Sequence, residues 1–216
     1  MWVKICGWND PATLKSSLAL GVPDAVGFNF YQKSPRAVRA PMALQLRRLL
    51  PVEVASVGVF VNHIPTQIRK TVIEVGLTHI QLHGNESPDF VALFKDLSII
   101  RVYRLKEPSL APIVKDLAAL AHLGVRPWAC LVDAWSATDY GGTGELAPWT
   151  VLTQWKAEWP RLILAGGLTP ENVAEACRTV RPFGVDAASG VEIAPGQKSP
   201  DLVASFLKAA RETPLT

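Results

Sequence analysis

Short apolar runs recur along the chain, each closed by a small or polar residue and followed by a stretch with helical spacing. Val3-Lys4-Ile5-Cys6, stopped by Gly7, is the first, and Lys4 is its one charged position. Similar runs fall at 25–30, 54–61, 79–83, 99–103, 128–132, 162–165 and 185–188. Runs of this length and near-continuous apolarity predict strands buried on both faces. Between them the period changes. Ile68, Val72 and Val75 lie at i, i+4 and i+7, and Gly76 is a fitting stop. Helices are also predicted over 12–20, around 43–50, over 113–122 and over 149–158, and Leu202, Phe206 and Ala210 stripe a closing one. Ser87-Pro88 and Thr169-Pro170-Glu171 read as helix starts.

Eight strands alternating with helices indicate a parallel sheet with helices outside it. Successive strand ends lie about 20–33 residues apart, and a parallel crossover needs a dozen or more. Eight units in one chain favour an α/β fold of the closed (β/α)8 TIM-barrel type, compact at 216 residues. The competing open doubly wound sheet lacks the Gly-x-Gly-x-x-Gly expected after its first strand. With no linker or shift in composition, one domain is expected over 1–216.

Composition narrows the function. The hydrophobic share of 49% and charged share of 19% are those of a globular protein, and the net charge is +3. Lys33, Arg36 and Arg39 are the nearest approach to a basic patch, too little for nucleic acid but suited to a small anion. No apolar run reaches the ~20 residues of a membrane span, and the N-terminus lacks a signal-peptide layout. Cys6, Cys130 and Cys177 are too scattered for a metal site or a disulfide framework, which points to a reducing cytoplasm. Apolar helix faces fit a monomer and a homodimer equally.

In a TIM barrel the active site lies at the C-terminal ends of the strands. That rule selects Cys6, Arg36, His83, Asp133, Gly166-Gly167 and Ser189-Gly190. Each has a plainer reading: a core thiol, a solvated charge, a hydrogen-bonded histidine, a turn cap, a tight bend. The glycines follow strands seven and eight, the loops with which such barrels hold phosphate. Around the closed ring a phosphate there has Asp133 on one flank and Cys6 on the other. Arg36 lies one strand beyond and is able to grip a carboxylate with two bonds. The implied ligand carries a phosphate and a carboxylate, with its reacting centre between a thiol and a carboxyl group. Nothing in the pattern calls for a metal or a redox cofactor.

The same residues resemble a known family. Lys4-Ile5-Cys6-Gly7, Gly27-Phe28-Asn29-Phe30-Tyr31, Lys33-Ser34-Pro35-Arg36, Gly58-Val59-Phe60-Val61-Asn62 and Gln81-Leu82-His83-Gly84 are similar to motifs of N-(5′-phosphoribosyl)anthranilate isomerases. So are Asp133 with Gly141-Gly142-Thr143-Gly144, Leu164-Ala165-Gly166-Gly167-Leu168-Thr169-Pro170-Glu171-Asn172-Val173, and Gly184-Val185-Asp186-Ala187-Ala188-Ser189-Gly190-Val191-Glu192. The resemblance spans nearly the whole chain. It implies a (β/α)8 barrel and an Amadori rearrangement in tryptophan biosynthesis, from an aminoaldose to an aminoketose phosphate. It assigns Asp133 as general acid, Cys6 as general base and Arg36 to the anthranilate carboxylate. Gly166, Gly167, Ser189 and Gly190 go to the phosphate, with Asp186 and His83 near the substrate.

This chemistry requires a Cys6 pKa lowered towards thiolate while Asp133 keeps a proton to give. Lys4 assists if it points into the barrel mouth. Trp8-Asn9, Gln32, Ala37 and Ala188 depart from the family pattern, and Trp8 and Trp135 fit either packing or a lid over the mouth. Two rivals remain. One is another sugar-phosphate barrel, such as an indole-forming lyase or an isomerase that also serves histidine synthesis; the latter would carry aspartate where Cys6 stands. The other is a catalytically silent phosphate-binding barrel acting as a partner subunit, which would need neither Cys6 nor Asp133.

Overall fold

The computed structural model describes residues 1–105, 109–134 and 149–213, with 134 by its backbone alone. Eight parallel strands close into a barrel in chain order, β1 (Trp2–Cys6), β2 (Ala25–Asn29), β3 (Ala55–Phe60), β4 (His79–Leu82), β5 (Ser98–Leu105), β6 (Ala129–Ala134), β7 (Arg161–Leu164) and β8 (Gly184–Ala187). β1 pairs with both β2 and β8, which seals the ring. The open doubly wound sheet is thereby excluded.

The helices are α1 (Pro11–Leu20), α2 (Ala40–Arg47), α3 (Pro65–Val75), α4 (Pro88–Ala92), α5 (Ala111–His122), α6 (Trp149–Leu152), α7 (Val173–Val180) and α8 (Pro200–Arg211). Proline occupies one of the first two positions of α1 to α5 and α8, where its missing N–H costs nothing. Side-chain oxygens of Asp10, Ser87 and Ser199 cap α1, α4 and α8. Gly76 ends α3 in the left-handed conformation. The helix expected over 149–158 stops at Leu152: Trp155 instead bends round to donate its indole N–H to the Pro160 carbonyl and meets Trp159 edge-on.

Two apolar layers follow from the period-2 alternation of the strands. Val3, Ile5, Val26, Phe28, Leu82 and Val185 point outward into the layer shared with the helices. Ala25, Val57, Ile100, Leu131 and Ile163 fill the inside of the barrel. Trp8 is 1% exposed in the outer layer, so it is a packing residue and not a lid. Trp135 and the 140–144 stretch lie outside the described residues.

Beyond β8 a single 3-10 turn (Ser189–Val191) leads into a small antiparallel pair, β9 (Glu192–Ala194) and β10 (Gln197–Lys198). No strand signal in the sequence marks this pair.

Candidate active site

β1 fixes the thiol. Alternation places Trp2, Lys4 and Cys6 on the inner side of the strand, with Cys6 last at the C-terminal mouth. Its cross-strand partner is Gly27, where a Cβ would lie 2.7 Å from the Cys6 sulfur, so glycine makes the room that the thiol occupies. Gly7 follows with φ +86, and the aliphatic part of Arg36 packs over its bare Cα.

Lys4 lies one inward position below Cys6 and is fully buried. Its Nζ donates to Asp186 Oδ2 at 2.7 Å, matching the register that sets Lys4 opposite Asp186. Burial draws the Lys4 pKa down, but Asp186 and the neighbouring Cys6 outweigh it, and the net shift is upward. Burial pushes Asp186 the other way, towards its neutral form, with Lys4 resisting. The short contact has the geometry of a charge-assisted bond, and the ion pair is the state it favours.

Burial also pushes the Cys6 thiol up, while Lys4 and, more weakly, Lys198 pull it down. The lowered pKa expected from sequence is therefore not found. Desolvation, with the Asp186 carboxylate adding to it, outweighs the two ammonium groups.

Across the mouth, Asp133 near the end of β6 is 5% exposed. His83, just past β4, holds Nε2 3.5 Å from Asp133 Oδ2. Gln81 Nε2 lies 2.9 Å from His83 Nδ1. With the amide as donor, Nδ1 accepts and Nε2 carries the proton, facing Asp133. His83 Nε2, Gln81 Oε1 and Asp186 Oδ1 are buried without a hydrogen-bond partner among the described residues. Native structures leave few such atoms unpaired, and these three line the same cavity, where a polyhydroxylated ligand could satisfy them.

Arg36 is not the solvated loop charge of the plainer reading, because a carboxylate of the chain itself holds it. Its Nε and Nη2 donate to the two Glu192 oxygens at 2.8 and 2.7 Å. Glu192, whose carboxyl is held below its ordinary pKa despite burial, also accepts from Lys198 Nζ at 2.5 Å. Lys198 reaches the Ala188 carbonyl as well, tying β10 to the end of β8. Glu192 and Lys198 are functional neighbours that the sequence did not single out, since 156 residues separate Glu192 from Arg36.

The glycine loops meet at the other side. Gly166 and Gly167 both have positive φ, +86 and +64, which only glycine adopts freely. Asn172 secures the bend, accepting from the Thr169 N–H at 2.8 Å and donating to the Gly167 carbonyl at 2.9 Å. Gly190 packs directly against the Leu168 carbonyl, which brings the β7 and β8 loops together. Cys6, Arg36, His83, Asp133, Gly166, Gly167, Asp186 and Ser189 all line one cavity, and Gly190 stands behind it. A roomier cavity of about 730 Å³ opens at the opposite end of the barrel, but its lining has no thiol, carboxyl or imidazole.

Residues 3–209 match the family model of N-(5′-phosphoribosyl)anthranilate (PRA) isomerase. The chain belongs to that family. It is 39% identical to the N-(5′-phosphoribosyl)anthranilate isomerase of Trichlorobacter lovleyi over 97% of this chain and 98% of that one. With the Myxococcus xanthus isomerase it shares 40% identity, over 97% and 95% of the two chains. Among solved structures, the Thermotoga maritima phosphoribosyl anthranilate isomerase superimposes with a TM-score of 0.82 at 34% identity, covering 97% of this chain and 98% of that one. A phosphoribosyl anthranilate isomerase in complex with reduced 1-(o-carboxyphenylamino)-1-deoxyribulose 5-phosphate gives 0.79 at 33% identity, covering 97% of both chains. The barrel is thus that of a phosphoribosylanthranilate isomerase, an enzyme of tryptophan biosynthesis acting on a small molecule.

Proposed function

We propose that Asp133 and Cys6 are the acid and base of this isomerisation, acting from opposite sides of one substrate. Asp133 protonates the ring oxygen of N-(5-phosphoribosyl)anthranilate, and the furanose opens to a Schiff base. Cys6, as thiolate, removes the proton from C2. The resulting enolamine tautomerises to the aminoketose, 1-(2-carboxyphenylamino)-1-deoxyribulose 5-phosphate. The observation that carries this reading is the convergence of a thiol and a carboxyl group on the same cavity, between Arg36 and a glycine-built loop.

The remaining groups take roles that their surroundings support. Gly166, Gly167 and Ser189 receive the phosphate, with Gly190 holding their loops together. Arg36, braced by Glu192, turns its remaining Nη1 to the anthranilate carboxylate. Asp186 and His83 meet the sugar. Lys4 supplies the positive charge beside Cys6 that offsets part of the burial penalty. The enzyme works as one domain in the cytoplasm, in keeping with three unpaired cysteines.

Cys6→Ala and Asp133→Ala separate binding from chemistry. Both variants should still bind a reduced product analogue while phosphoribosylanthranilate fluorescence persists in the turnover assay. General acid–base groups contribute about 10²–10⁴-fold, so losses of that order are expected. Near-native turnover in either variant refutes the role given to that residue.

A further inference from the structure

At the N-terminal end of the barrel, Arg126, Lys156, Arg161 and Arg181 surround the cavity of about 730 Å³. No Asp or Glu lines it, and none of the four forms a salt bridge among the described residues. Four uncompensated charges about one concavity focus a positive field into it.

The walls between them are aromatic. The Arg161 guanidinium lies 5.1 Å from the Trp128 ring centroid and 5.2 Å from that of Phe183. Lys156 Nζ stands 5.7 Å from the Trp159 centroid. Arg126 is held by the carbonyls of Glu158 and Trp159, so its charge is fixed in place without being neutralised. The volume lies within the ~300–1,000 Å³ of small-molecule sites.

We propose that this cavity is a second ligand site, for a planar aromatic anion that bears no positive group. The ring is received by the tryptophan walls and the anionic group by the cations. A zwitterionic amino acid is rejected because its ammonium finds no carboxylate among the described residues of the lining. The site shares no residue with the catalytic mouth and stands whether or not Cys6 and Asp133 have the roles given above.

The test is calorimetric titration of the full chain with indole-3-acetate, adenosine 5′-monophosphate and L-tryptophan, read alongside the indole N–H resonances. Indole-3-acetate and L-tryptophan present the same ring, with and without the uncompensated charge. We expect a Kd below ~1 mM for at least one of the two anions and binding of L-tryptophan at least about tenfold weaker. Carboxylate binding alone identifies an aromatic acid, phosphate binding alone a nucleotide. The resonances of Trp128 and Trp159 should move while that of the buried Trp8 stays. Lys156→Glu combined with Arg181→Gly should weaken the anion at least about tenfold without changing turnover. Arg181 has φ 52, where glycine relaxes the backbone, and Lys156→Gln serves if the double variant folds poorly. Failure of both anions to bind, equal binding of L-tryptophan, or unchanged binding by the variants overturns the proposal. So does a second copy of the chain covering this face, detected as dilution-dependent Trp128 and Trp159 resonances.

Discussion

Lys4 carries the largest consequence at the scale of single residues. Replacing it with Met leaves the Asp186 carboxylate buried without a counterion, a change that costs about 3–5 kcal/mol in comparable pairs. The loss depends on pH in a definite sense. Burial raises Asp186, so without Lys4 the folded protein prefers the protonated carboxyl, and the deficit shrinks as pH falls. Denaturant melts of Lys4→Met at pH 5 and pH 8 should show the smaller deficit at pH 5. Activity moves the other way. With Cys6 as the proposed base and its pKa raised by burial, kcat/KM should climb with pH on the alkaline side of an ordinary thiol. Without Lys4 that limb should shift further up, with kcat/KM below it falling about tenfold for each pH unit of displacement. A pH–rate profile of Lys4→Met that overlays the wild type would remove Lys4 from the chemistry.

The elements divide into those that the sequence specifies locally and those that only the closed ring creates. Strand and helix positions were legible because their signals are short-ranged: apolar runs, prolines at helix starts, Ser87 as a cap. The thiol and the carboxyl group were legible because a barrel puts every strand end on one rim. Pairs closed by the ring were not. Lys4 reaches Asp186 across 182 residues and Arg36 reaches Glu192 across 156, and no local periodicity encodes either bond. The β9–β10 pair escaped notice for a related reason: its strands are three and two residues long, and their place follows from the Lys198 contacts. Asn172 tests the loop proposed above to receive the phosphate. Asn172→Ala removes both bonds that fix the bend of Gly166 and Gly167, a loss of about 1–3 kcal/mol. The expected kinetic result is a higher KM with kcat little changed, since neither proposed proton-transfer group moves. Gly27→Ala should do the reverse, because its methyl intrudes on the Cys6 sulfur: kcat falls and affinity for the product analogue holds.

The whole molecule separates stability from chemistry along the barrel axis. The C-terminal mouth holds buried polar atoms without partners among the described residues, a thiol and an ion pair, none of which a stable core requires. The N-terminal end is closed by Trp2, Trp128 and Phe183, whose ring centroids lie 5.5–6.0 Å apart, with His79 edge-on to Trp128. Trp128 contacts every member of this plug. Trp128→Ala should cost about 3 kcal/mol, the lower end of the usual range because the ring is half-buried. For a chain of this size each kcal/mol lowers Tm by roughly 2–4 °C, so a fall of about 6–12 °C is expected. Turnover at 25 °C should remain near the wild-type value, because the inner layer of Ala25, Val57, Ile100, Leu131 and Ile163 lies between the plug and the catalytic rim. Loss of kcat in a variant that still melts cooperatively would show instead that the two ends of the barrel are coupled through that layer.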